Sequence, residues 1–154
     1  MSEKKTGKVI DIICGLTALV SIAALFVPFA RDISVSEPIE ILSLSVFQFG
    51  LSSVNGKLLG NDYTVVGIIT LVFLGVTALL LLMWAIRSFI HHEKAGKNGL
   101  IATILNTLIT VVAVMILSHS REFTAGLAVL LVIIGIAGIV LSIIQIRSKK
   151  GQKQ

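Results

Sequence analysis

A chain of 154 residues with 55% hydrophobic and 14% charged side chains, at a mean hydropathy of +0.99, cannot cover a soluble surface while four long apolar runs stay unbroken. Its 13 Lys and Arg against 8 Asp and Glu give a net charge of +5, spread over the ends of those runs. No Arg-rich helix or aromatic-interleaved basic patch accompanies it, which excludes a nucleic-acid partner. A single cysteine, Cys14, excludes an internal disulfide and any multi-cysteine metal centre, and nothing points to a cofactor.

The first apolar segment, 9–29, covers about 31 Å as a helix, the thickness of a hydrocarbon core. Its basic start resembles that of a signal peptide, but the apolar stretch is long and the sequence around Pro28 and Ala30 makes a poor cleavage site, so it reads as a retained span. Cys14 within it reads as a buried small hydrophobe. Asp11 lies shallow in the same run, in a first turn beside Lys8. There it serves as a structural acid facing the helix dipole, with a proton or cation site as the alternative. Thr17 and Ser21 form a polar i,i+4 pair.

Residues 30–63 make a connection too long to be a mere link. Ile33 and Val35, Ile39 and Ile41, then Leu42, Leu44 and Val46, and finally Phe47 and Phe49 alternate with other residues, which argues for strands. The alternation changes phase after Ile41 and again near Phe47, so a small antiparallel element is expected rather than one regular strand. The alternative is an amphipathic helix over 40–51 with Ile41, Leu44, Phe47 and Leu51 on one face. With one face outward, the antiparallel element makes Ile39, Ile41, Leu44, Val46, Phe47 and Phe49 a candidate partner-binding surface, whereas an interfacial helix would mainly anchor. Asn55-Gly56 and Gly60-Asn61-Asp62 are turn signals that close the segment.

The remaining spans are 64–86, 99–117 and 124–146, and Tyr63 and Trp84 sit where interface anchors of the second would be. Helices are required, because β-barrel strands are shorter and alternate with polar residues. On the third span Thr103, Asn106, Thr107 and Thr110 share a face that is expected to tie helices together, with Thr17 and Ser21 as partners. On the fourth, Gly135, Gly138 and Ser142 allow close helix approach. The linker 118–123 is short enough to force the last two spans into a hairpin. His91-His92-Glu93 lacks a third ligand, so no metal site is expected. Hydrolase and nucleotide motifs are missing, so catalysis is not expected either.

Orientation follows from Lys and Arg in the connections. The N-terminus, 87–98 and the C-terminal tail together hold ten, against three (Arg31, Lys57 and Arg121) on the other side. Both termini are therefore expected in the cytoplasm, at the plasma membrane, with Lys-rich tips near anionic headgroups. The expected fold is an all-α membrane domain: a four-transmembrane-helix bundle with a small β-like extracytoplasmic element in its first loop.

This order of a long patterned external loop, a short cytoplasmic loop and a tight second hairpin resembles the claudin-type four-helix arrangement. The first loop here has neither the tryptophan-containing signature nor the paired cysteines of that family, so the resemblance implies topology and no junction or receptor role. The function expected from the sequence is a non-catalytic accessory, scaffold or regulatory component. It would bind another membrane or envelope protein through the first loop or helix faces, or a second copy of itself. The alternative is an oligomeric transporter or channel for small solutes or ions, using the polar face of the third span.

Overall fold

The computed structural model of the chain describes residues 2–28, 30–32, 42–54, 64–117 and 125–151. In chain order these form α1 (Ser2–Ala24), β1 (Ala30–Asp32), β2 (Leu42–Leu44), α2 (Val46–Val54), α3 (Thr64–Phe89), α4 (Ala95–Leu117) and α5 (Ala125–Gly151). Four of them, α1, α3, α4 and α5, are long and apolar enough to cross a membrane. The protein is an integral, multi-pass membrane protein. α1 lies against α3 and α5, and α4 lies against the same two, while α1 and α4 scarcely touch across the diagonal.

The helices meet along seams of small and polar residues spaced alternately by three and four. On α3 the buried line is Gly67, Thr70, Leu74, Thr77, Leu81, Trp84 and Ser88. On α5 it is Ala128, Leu131, Gly135, Gly138, Ser142 and Gln145; on α1 it is Gly7, Asp11, Cys14, Ala18 and Ser21. A period of 3.5 keeps one face on its neighbours over many turns when the helices supercoil left-handedly. Lipid tails are as apolar as leucine, so no hydrophobic force drives these helices together. Close backbone approach at small residues does so instead. Most large side chains go outward, among them Val65, Leu79, Leu108 and Ile133, all exposed.

The helices run past the apolar segments that announce them. α3 continues to Phe89, α4 begins at Ala95 and α5 extends to Gly151, because hydropathy marks the hydrocarbon layer while i→i−4 bonding continues into the headgroups. α1 differs most from the expected 9–29. It starts at Ser2 and ends at Ala24, and Leu25, Phe26 and Val27 each donate to the carbonyl three residues back, tightening into a turn before Pro28. Proline disfavours the helical conformation in the residue before it.

The first loop is also reassigned. Among the described residues antiparallel pairing is confined to Ala30–Asp32 against Leu42–Leu44, three residues a side. From Val46 to Val54 the chain is helical, where alternation of apolar residues argues for a strand. The reason is a capping box: Gln48 N–H donates to Ser45 Oγ at 3.2 Å, and Ser45 N–H donates to Gln48 Oε1 at 2.9 Å. α2 lays Val46, Phe49, Gly50 and Ser53 into the bundle, chiefly against α3. Gly67 sits so close to α2 that a Cβ there would lie 2.8 Å from the Gly50 carbonyl oxygen. Residues 33–41, 55–63 and the expected hairpin linker 118–123 lie outside the described residues.

Candidate functional site at the basic end of the bundle

Asp11 is 1% exposed and is the one fully buried charged side chain among the described residues. It does not lie in a first turn, because α1 begins nine positions earlier, at Ser2. Three donors converge on its two oxygens. Gln145 Nε2 donates to Oδ1 at 2.7 Å; Lys149 Nζ donates to Oδ2 at 2.7 Å, and His91 Nδ1 lies 2.9 Å from that same oxygen. A carboxylate accepts only, so the His91 bond requires the proton on Nδ1.

A second ring of bonds fixes the first. Trp84 Nε1 donates to Gln145 Oε1 at 2.9 Å, and Gln145 Nε2 also donates to Ser88 Oγ at 3.0 Å. Lys149 Nζ reaches the His91 carbonyl at 3.2 Å. The cluster thus joins α1, the end of α3, the α3–α4 turn and the last turns of α5. Trp84 is wholly buried rather than an interface anchor, its indole resting on Gly99, where any Cβ would collide with the ring. Tyr63, the other expected anchor, lies outside the described residues.

His91 adopts φ 56°, the left-handed region where glycine is usual, at a cost of about 1–2 kcal/mol for a residue with a Cβ. The Asp11 contact offsets that cost, since hydrogen bonds to charged groups contribute about 1.5–3 kcal/mol. His92 accepts the Lys94 N–H at 3.1 Å through Nδ1, ahead of α4. Among the described residues no three His, Cys, Asp or Glu side chains group as metal ligands.

The polar face expected to bridge helices mostly bonds to itself. Thr17, Ser21, Thr103, Thr107 and Thr110 each donate to the carbonyl four residues back, at 2.7–2.8 Å. Thr17 and Ser21 do not meet Asn106 as partners, because α1 and α4 lie on the diagonal. The α4 face does meet α5, by shape. Gly138 faces Thr103, Gly135 faces Thr107, and the Ser142 hydroxyl stands over Gly99. Two features read separately in the sequence therefore form one intrachain seam. Asn106 is buried with its Oδ1 unpartnered, as is Thr77 Oγ1 on α3.

The candidate binding surface of the first loop is smaller than expected. Ile39 and Ile41 lie outside the described residues, and Leu44 belongs to β2. Val46 and Phe49 are buried in the bundle, which removes them from any partner's reach. Phe47 remains exposed, its ring 5.6 Å from that of Phe26, and Val27 and Leu51 are exposed as well. Two apolar furrows mark the bundle's exterior. One, of about 260 Å³, lies between α1 and α5; the other, of about 310 Å³, lies between α3 and α4.

The chain matches no family model, no curated protein and no solved structure.

Proposed function

We propose that this integral membrane protein is a non-catalytic accessory component of the plasma membrane, with both termini cytoplasmic and residues 30–63 outside as a loop with a small β-like element. It binds another membrane or envelope protein through the outer end of α1 and α2. The observation that carries this reading is Phe47 with Phe26: two exposed rings in contact, Phe47 on a short helix whose other face is locked into the bundle and Phe26 in the turn that follows α1. Val27 in that turn and Leu51 on α2 are exposed as well. Aromatic side chains held in place before binding lose little freedom when a partner covers them.

Photocrosslinking in the native membrane tests it. A photoreactive residue at Phe47 should yield one discrete protein adduct, and Leu51→Ser should abolish it while the bundle stays folded. The same residue at lipid-facing Leu79 should yield none. Adducts to lipid alone from position 47 would overturn the reading.

The transporter reading rests on one observation, the unpartnered Asn106 Oδ1 and Thr77 Oγ1 inside the spans. A cysteine at Asn106, in a chain carrying Cys14→Ala, would react with a water-soluble thiol reagent if that face lined an aqueous path. Failure to label would rule the path out.

A further inference from the structure

α3 ends in a Schellman motif. The His91 N–H donates to the Ser88 carbonyl at 3.0 Å and the His92 N–H to the Arg87 carbonyl at 2.8 Å, with His91 as the left-handed residue. Glycine or asparagine would serve that backbone with less strain. The side chain is what distinguishes histidine here, and it is spent on Asp11. With Nδ1 committed to the carboxylate as donor, Nε2 is left as the basic nitrogen of the ring, and the side chain is 37% exposed to supply it with protons from water.

We propose that His91 is a proton-binding site whose occupancy decides which cation holds Asp11. His91 Nδ1 and Lys149 Nζ share one oxygen, Asp11 Oδ2. With a neutral imidazole, Lys149 is the single counter-charge and His91 a neutral donor. When a proton enters at Nε2, the imidazolium becomes a second cation on the same oxygen, and its bond to the carboxylate becomes charge-assisted on both sides. Two cations then compete for one carboxylate. Lys149 is the one that leaves, because its flexible stem springs from the last turns of α5 and can carry the ammonium into water, whereas His91 is fixed by the turn. No bond other than N–H forms, and Lys149 remains an ammonium throughout.

Among the described residues the charged and titratable groups about His91 are Asp11 on α1, Lys149 on α5, and His92, Glu93 and Lys94 in its own turn. Lys8 lies one turn below Asp11 and Cys14 one turn above it. Of these only Asp11 is a fully buried charge, so it is the group whose partner must be replaced when Lys149 departs. Acidification therefore loosens the last turns of α5 while α1 stays tied to the α3–α4 turn through Asp11 and His91.

Trp84 is the sole tryptophan of the chain and bonds Gln145, which bonds Asp11, so its fluorescence reports on the cluster. The detergent-solubilised full chain is titrated over about pH 5–8, where histidine is the side chain that ordinarily changes charge. Two readouts are followed: Trp84 emission, and the mobility of a spin label at Lys150→Cys in a Cys14→Ala chain. The expected result is a single transition in both, with label mobility rising on acidification. His91→Gln, which keeps a donor but cannot take the charge, should lose both transitions. His92→Gln and His119→Gln should keep both. Either readout staying flat in the wild-type sequence, or a transition surviving His91→Gln, would overturn the proposal.

Discussion

Asp11 and Lys149 do not share their burial equally, and that inequality predicts how each tolerates loss of the other. The carboxylate is 1% exposed and the lysine side chain 14%. Removing Lys149 takes the ammonium from a carboxylate with no route to water and leaves it only the Gln145 and His91 donors, whereas removing Asp11 leaves an ammonium that can move outward. Lys149→Met is therefore expected to destabilise by up to about 3–5 kcal/mol, the usual cost of removing one partner of a buried ion pair, and Asp11→Leu by less. The double variant should recover much of the loss, because a buried ion pair is often no better than apolar residues of like volume. Unfolding of the three variants in mixed micelles checks this, and equal losses for the two single variants would contradict it. Residue-scale chemistry was the least legible part of the sequence. Asp11 and Lys149 are 138 positions apart, and no spacing rule connects them until the fold brings the two chain ends together. Trp84 misleads for the same reason. Its place near the end of an apolar run suits a membrane interface, and only Gly99 on α4 makes room for it inside.

At the scale of single elements the first loop teaches the sharper lesson. Alternation over Leu42, Leu44, Val46 and Phe47 suits a strand, but Ser45 and Gln48 carry a start signal for a helix that was there to be read. Burial then takes one face of that helix, and Phe49, an apparent strand residue, becomes wholly buried. Ser45→Ala is expected to cost about 1 kcal/mol and to raise amide exchange across 46–54 without changing exchange in α3 or α5. Equal exchange in both chains would show that contacts with α3 alone hold α2. The α4–α5 seam makes a stronger demand. A Cβ at Gly138 would lie 2.6 Å from Thr103 Cγ2, and Thr103 is pinned by its own bond to the Gly99 carbonyl. Gly138→Leu should therefore force the two helices apart and lower the melting temperature sharply. Gly75→Leu, where open space surrounds the glycine, should leave it nearly unchanged.

For the whole molecule, four apolar runs made the bundle legible from composition alone, since only helices satisfy their own backbone in lipid with segments of that length. Which face of each helix turns inward was harder to read, because both faces are apolar. The sorting is largely by size, with Gly, Ala, Ser and Thr inside and most Leu, Ile, Val and Phe outside, though Leu74, Leu81, Trp84 and Leu131 lie on the inner seams. The fourth span shows this period in Gly135, Gly138 and Ser142; the partner they meet became apparent only once α4 lay beside α5. The direction of insertion rests on charge, ten Lys and Arg at one end against three at the other. A cysteine placed at Lys57 should react with an impermeant thiol reagent on intact cells, and one placed at Lys150 only after the membrane is opened, each in a Cys14→Ala chain. The reverse pattern would invert the molecule. It would also move Asp11, His91 and Lys149 to the outer surface and turn Phe26 and Phe47 toward the cytoplasm. Orientation therefore decides which compartment supplies protons to His91 and from which side a partner approaches α2, although it alters no contact within the bundle.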